Sequence, residues 1–334
     1  MLINSIVIIV ILIHHFLLYP PIILFSILIE YIITFESFRN KIIKLIKVYW
    51  LELTISFFRF YLQKELKIIV HKNFLKSRKT LIISNHVSNF DWILLMRVFY
   101  YFKRYNNLVI ILKESLRKIP IAGRGMKIFG YIFLKRNKSD DTGVIKNNMC
   151  KLKERDAYNI LLFPEGTINC ENTHNKSHNY ALRNNLDFNP ERVLLPHKTG
   201  YNLIMKELNT KLDGIVDITI LYEPKVKYIH DSLSLKNIFI RKNVKPKFFF
   251  FIDFLEKNDL MMKEDYLLEV FKRKNSLLEK YYASKEDFFR FMKNDRNLSN
   301  DYVFISISFK TIFSDFISLV MVFNCIYFMV YMFK

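Results

Sequence analysis

Short apolar runs alternate with longer amphipathic stretches through the middle of this chain, and no other feature narrows its fold as much. Thr80 to Ser84, Leu108 to Leu112, Tyr131 to Leu134, Asn159 to Phe163, Ile215 to Leu221 and Phe248 to Ile252 are short runs dominated by β-branched and aromatic side chains. Runs of that kind bounded by polar residues are buried strands. Helical patterns lie between them, around Asp91 to Phe102, Asp141 to Glu154 and Tyr201 to Leu212. A further helix is expected from Lys263 to Tyr282, where Leu267, Leu268, Phe271, Leu277, Leu278 and Tyr281 recur at helical spacing. Strands alternating with helices predict an α/β fold, a mixed sheet flanked by helices. Asn169 to Asn189 is polar and rich in Asn and His, which predicts a long surface loop. Within it His174 and His178 are four apart and without a carboxylate partner, so solvated histidines are expected rather than a metal site.

Apolar segments close both ends. From Leu2 to Phe35 the chain is largely apolar, with His14, His15 and Glu30 as its main interruptions, and Pro20-Pro21 splits it into Leu2 to Tyr19 and Ile22 to Phe35. A bilayer core takes about 20 helical residues, so a kinked span or shallow hairpin is expected rather than two full helices. The start has no basic n-region and no small-x-small pattern follows, which argues against a cleaved signal peptide. Phe316 to Phe333 carries no charge between Asp315 and Lys334 and reads as a transmembrane helix, with Tyr302 to Phe309 as an interfacial lead-in. Arg39, Lys41, Lys44 and Lys47 lie among Ile42, Ile43, Leu45, Ile46 and Trp50. That pattern predicts a helix with one basic face in the headgroup layer. The basic cluster beside the first apolar run places this side in the cytosol. The expected organisation is a membrane segment over 1–36, an amphipathic interfacial region over 37–66, the α/β domain over 67–285 and a C-terminal transmembrane segment over 302–334.

The formal charge of +20 is compatible with nucleic acid, an anionic membrane or a phosphorylated ligand. Ala occurs only four times while Ile, Asn, Lys and Phe abound, so part of that charge reflects compositional drift. The lysines are dispersed and membrane segments have no use in a nucleic-acid binder, so nucleic acid is not expected as a partner. Three widely separated cysteines, Cys150, Cys170 and Cys325, match neither a disulfide framework nor a zinc site.

In open α/β sheets, ligands collect at the carboxyl ends of the strands. Four polar residues leave four expected strands there: His86, Lys113, Arg136 and Glu165. His86 and Asp91 are five apart, too far for one helical face, but they can meet if the histidine lies in a loop and the aspartate in the first turn of the next helix. The aspartate would then fix the imidazole tautomer while the other ring nitrogen takes a proton from an attacking hydroxyl. Phe163-Pro164-Glu165-Gly166-Thr167 makes a tight turn with a carboxylate after an apolar strand.

Asn85-His86-x4-Asp91 and Phe163-Pro164-Glu165-Gly166-Thr167 resemble the first and third motifs of the glycerolipid acyltransferases, the lysophosphatidic acid acyltransferase family. Lys113-Glu-Ser-Leu116 with Pro120 and Gly123, and Gly130-Tyr-Ile-Phe-Leu-Lys-Arg136, resemble the second motif region; Leu195-Pro196-His197-Lys198-Thr199-Gly200 resembles the fourth. The resemblance runs over roughly residues 78 to 222 and is nearest to the eukaryotic branch that includes lysocardiolipin acyltransferase. One departure stands out, because that branch carries Arg or Lys where this chain has His197. The resemblance implies acyl transfer from acyl-CoA, as co-substrate, to the free sn-2 hydroxyl of lysophosphatidic acid, giving phosphatidic acid. It implies His86 and Asp91 as catalytic residues, Lys113 and Arg136 against the acceptor phosphate, and Glu165, Gly166 and Thr167 positioning the acceptor. No metal and no bound cofactor are implied. The expected setting is the endoplasmic reticulum membrane, with the catalytic domain facing the cytosol and the bilayer as a partner. Remodelling of lysocardiolipin or lysophosphatidylinositol, or a non-catalytic membrane scaffold, remain the alternatives.

Overall fold

The computed structural model describes residues 21–61, 65–119, 122–233, 237, 246–294 and 300–308. Its strands are β1 Glu65–His71, β2 Lys79–Ser84, β3 Leu108–Lys113, β4 Ile132–Leu134, β5 Tyr158–Leu162, β6 Gly214–Glu223, β7 Lys247–Glu256 and β8 Tyr302–Ser308. They form one mixed sheet in the order β4-β3-β5-β2-β6-β7-β1-β8. β4, β3, β5, β2 and β6 run parallel, so their carboxyl ends share one edge. β7 turns back antiparallel to β6, β1 runs parallel to β7, and β8 closes the far edge antiparallel to β1. The expected mixed sheet flanked by helices is what the chain builds.

The longer helices are α1 Glu36–Tyr61, α2 Asp91–Tyr101, α3 Ala122–Ile128, α4 Lys138–Lys153, α5 Glu171–Arg183, α6 Lys198–Leu208, α7 Tyr266–Ala283 and α8 Lys285–Asn294. Side chains alternate across each strand, so each strand serves two cores. Ile82 and Leu161 face one layer with Leu51 and Ile55 of α1 and Leu94 and Val98 of α2. Leu81, Ile83 and Ile160 face the other, with Met149 of α4, Ile204 and Leu208 of α6, and Phe271 and Leu278 of α7. Each such side chain contributes about 1.5–3 kcal/mol by leaving water, and together they fix the sheet edge that carries the polar loops.

Three expectations are corrected. Asn169 to Asn189 is not a long loop, because α5 occupies Glu171–Arg183. Its start is held by Thr173, whose Oγ1 accepts from Cys170 N at 3.0 Å and donates to the Ile168 carbonyl at 2.6 Å. Only His174 and Ala181 of α5 are buried, so the inward face is too sparse to show as a hydrophobic period. His174 lies against Tyr228, with ring centroids 5.7 Å apart, and not in solvent. Lys47 is also misplaced by a headgroup-facing reading of 37–66. Lys41 and Lys44 are exposed, but Lys47 is buried and its Nζ donates to the Leu108 and Phe129 carbonyls at 3.2 and 3.3 Å. Burial brings its pKa down to about 7. Finally, Tyr302–Ser308 is not an interfacial lead-in but edge strand β8, so the α/β domain reaches past residue 285.

Among the described residues no helix is long and apolar enough to cross a membrane. The expected segments Leu2 to Tyr19 and Phe316 to Phe333 lie outside the described residues. Residues 21–32 are helical and dock through Ile23, whose side chain packs against Gly125 of α3. Leu24, Phe25, Leu28, Tyr31, Phe35 and Phe38 remain exposed.

Candidate active site

β2 ends at Ser84 and the chain turns through Asn85-His86 into α2. Asn85 anchors that turn: its side-chain Nδ2 donates to the Ile220 carbonyl at 3.1 Å and its Oδ1 accepts from Ile220 N at 2.8 Å. A buried amide that satisfies both groups of a neighbouring strand holds its loop rigidly. Asp91 opens α2, where the helix dipole favours a carboxylate. Its Oδ2 lies 2.9 Å from His86 Nδ1 and accepts from Val87 N at 2.6 Å and Ser88 N at 3.0 Å. Its Oδ1 accepts from Ser88 Oγ at 2.6 Å. The carboxylate is fully buried while the His86 side chain is 22% exposed, and that asymmetry suits a fixed acceptor behind a working imidazole. A carboxylate surrounded by donors can only accept, so Nδ1–H donates to it and Nε2 carries the lone pair. Phe163 stacks on the His86 ring at 4.4 Å, fixing its plane.

The loop after β5 is tied to the same histidine. Glu165 is buried, and its Oε1 accepts from His86 N at 3.3 Å. The His86 carbonyl in turn accepts from Asn169 N at 2.8 Å. Burial holds the Glu165 pKa well above the ordinary carboxylate range, against the pull of the His86 N–H and of Lys274. Lys274 of α7 is itself buried beneath the sheet edge, donating to Asp217 Oδ1 at 2.5 Å, the Ile218 carbonyl at 2.7 Å and Thr219 Oγ1 at 3.2 Å. Gly166 has φ +68°, a conformation glycine adopts freely, and a Cβ there would lie 2.9 Å from His197 Cδ2. His197 N donates to the Pro164 carbonyl at 2.8 Å, so the loops bearing Glu165 and His197 are joined.

His86, Lys113, Arg136, Glu165, Gly166 and Thr167 all line one cavity of about 720 Å³, with Asp91 directly behind His86. The seven residues expected at the site from the sequence therefore meet at one place. Lys113 ends β3, and Arg136 lies two residues beyond β4 with φ +67°. A non-glycine residue held there costs on the order of 1–3 kcal/mol. Trp92, Leu112, Leu134, Ile145 and Leu203 supply apolar wall. A cavity with an oriented imidazole at one wall, two cations at the carboxyl ends of β3 and β4 and an apolar lining fits an amphiphile with an anionic head. Sequence reasoning missed Asn85 and Lys274 as supports, because their partners are backbone groups or residues over 50 positions away. It missed Asp141, at the cavity wall, because its partners are backbone amides, and Ser88 although its partner Asp91 is only three residues on. His174 and His178 contribute nothing to this cavity. Among the described residues no group of three His, Cys, Asp or Glu is placed to hold a metal ion.

Comparison with known proteins agrees with this geometry. Residues 66–223 match the family model described as Acyltransferase. An uncharacterized acyltransferase of Saccharomyces cerevisiae is 33% identical over 248 residues, 66% of this chain and 62% of the relative. The 2-acyl-1-lysophosphatidylinositol acyltransferase of the same yeast is 28% identical over 263 residues, 66% of this chain and 65% of the relative. Lysocardiolipin acyltransferase 1 of Danio rerio is 30% identical over 198 residues, 58% of this chain and 50% of the relative. The chain thus spans one half to two thirds of the length of these relatives. In fold it is similar to the crystal structure of the 1-acyl-sn-glycerophosphate acyltransferase PlsC from Thermotoga maritima, with a TM-score of 0.50 and 16% identity, covering 84% of this chain and 98% of that one. The matched residues carry the sheet edge with both the His86–Asp91 and the Glu165 loops, and over them the chain is similar to the acyltransferases named above.

Proposed function

We propose that this protein is an acyl-CoA-dependent O-acyltransferase that acylates the free sn-2 hydroxyl of lysophosphatidic acid to give phosphatidic acid. The observation that carries this reading is the 2.9 Å contact between His86 Nδ1 and the buried Asp91, at the wall of a cavity that also holds Lys113 and Arg136. His86 Nε2 takes the proton of the acceptor hydroxyl as its oxygen attacks the thioester carbonyl carbon. Asp91 stabilises the imidazolium that results. The tetrahedral intermediate collapses, the C–S bond breaks, and the thiolate recovers a proton from His86 to leave as CoA. Lys113 and Arg136 neutralise the acceptor phosphate, the guanidinium being suited to two parallel hydrogen bonds. Glu165, Gly166 and Thr167 form the turn that positions the glycerol. The bilayer is the setting, with the catalytic domain at the cytosolic face of the endoplasmic reticulum; the exposed Leu24, Phe25, Leu28 and Phe35 support contact with lipid.

A second reading is remodelling of another anionic lysophospholipid, favoured by the relatives named for lysophosphatidylinositol and lysocardiolipin. Mass spectrometry of products from one acyl-CoA and an equimolar panel of these three acceptors decides between them. Phosphatidic acid as the main product supports the first reading. Phosphatidylinositol or cardiolipin as the main product replaces it with the second, and no acylated product removes both.

A further inference from the structure

Arg136 sits in a left-handed turn that arginine does not favour by itself, so something must hold it there. Asp141, buried near the start of α4, is that group. Its Oδ1 accepts from Lys135 N at 2.8 Å and its Oδ2 from Asn137 N at 3.0 Å. Those two amides flank Arg136 on either side, so a single carboxylate brackets the strained residue. Asn137 locks the bracket in place, its carbonyl accepting from Asp141 N at 2.9 Å and its Oδ1 from Ser139 N at 3.2 Å.

Asp141 lines the same cavity as Arg136. A carboxylate with a free oxygen so near a guanidinium would pair with it and compete with any bound anion. Here each oxygen is turned to a backbone N–H group. The adjacent Asp140 is turned the other way, 3.3 Å from Lys135 Nζ. Among the described residues no carboxylate pairs with the Arg136 side chain.

We propose that Asp141 is a positioning residue that fixes the Arg136 turn, aiming the guanidinium at the phosphate of a lysophospholipid while leaving its charge unpaired for that phosphate. The phosphate-bearing acceptor is taken from the proposed function; the bracket itself follows from the geometry. Released from Asp141, residue 136 relaxes to negative φ, and its side chain leaves the cavity.

Trp92 lines the cavity, so intrinsic fluorescence reports binding without turnover. The probe is lysophosphatidic acid titrated in detergent into wild type, Asp141→Ala, Arg136→Ala and the double variant. A displaced binding group costs about tenfold or more, so Asp141→Ala should raise the dissociation constant by about tenfold. The double variant should bind no worse than Arg136→Ala alone, since a bracket without its arginine has nothing to aim. In turnover, Asp141→Ala should raise the acceptor KM while leaving the acyl-CoA KM and kcat within about twofold. Wild-type affinity in Asp141→Ala, or losses that multiply in the double variant, overturns the proposal. Wild type that does not bind the lipid overturns it as well. If the binding pattern holds but no lysophospholipid is acylated, the enzymatic reading fails and the positioning role stands. Should Asp141→Ala not fold, Asp141→Asn keeps one acceptor oxygen and carries the same test with a smaller shift in the same direction.

Discussion

Replacing Asp91 by asparagine should abolish most of the turnover while sparing the fold. The two side chains are nearly isosteric. The amide oxygen can still accept from His86 Nδ1, Val87 N and Ser88 N, and its NH2 can donate to Ser88 Oγ, which reverses its role. What is lost is the charge that stabilises the imidazolium. With charge centres about 4 Å apart and an effective dielectric of about 20, that attraction is about 4 kcal/mol. At 1.36 kcal/mol per decade, kcat should fall about 10³-fold. The acceptor KM should move less than about threefold, because Asp91 sits behind the histidine and does not line the cavity. Continuous detection of the CoA thiol gives both constants, and thermal melting checks the fold. Asp91→Ala is the contrast: four donors lose their acceptor, each costing about 1 kcal/mol or more, so it should melt several degrees lower. If Asp91→Asn keeps more than a tenth of wild-type kcat, the imidazolium is not stabilised by Asp91 and the assigned general base is wrong.

Lys274→Met should destabilise the protein by about 3–5 kcal/mol in chemical denaturation, since it strands Asp217 against the pull of burial. Adding Asp217→Asn should recover part of that loss, and a double variant no more stable than the single would contradict the pairing. Lys47 predicts a pH dependence. Burial holds its folded pKa at about 7, below the ordinary lysine value of 10.5. Below pH 7 both states are protonated and the folded state carries the full burial penalty; between about 7 and 10.5 only the unfolded state holds the proton, so stability rises with pH. The wild-type advantage over Lys47→Met should therefore grow by about 1.4 kcal/mol from pH 6 to pH 8. A flat difference would mean that Lys47 is solvated. Gly166→Ala meets both a φ of +68° and the His197 ring, so acceptor kcat/KM should drop at least about tenfold with about 1–3 kcal/mol of strain; near-normal kinetics would show that this turn does not shape the site.

Much of the site was legible because its chemistry is local to strand ends. His86, Lys113, Arg136 and Glu165 each follow an apolar run, and parallel neighbours bring such ends together. The meeting of His86 with Asp91 was legible too, because only a loop-to-helix transition lets residues five apart touch. Lys47 was opaque for the opposite reason: lysine at helical spacing among apolar residues looks the same whether its amine reaches headgroups or the carbonyls of Leu108 and Phe129. Strand β8 was hidden by its apolar sequence next to a longer apolar run, and only pairing with β1 distinguishes an edge strand from a membrane lead-in. α5 turns just two buried side chains inward. Asp141 and Lys274 bond backbone amides and a distant strand, contacts that leave no mark on composition or period.

If His86 moves the proton of a lysolipid hydroxyl during acyl transfer from CoA, its removal stops the reaction. Wild type and His86→Ala are compared for CoA release from acyl-CoA in the presence of lysophosphatidic acid, at matched expression and membrane insertion. Stoichiometric CoA and phosphatidic acid are expected from wild type and neither from the variant. Turnover by His86→Ala near the wild-type rate would contradict that role.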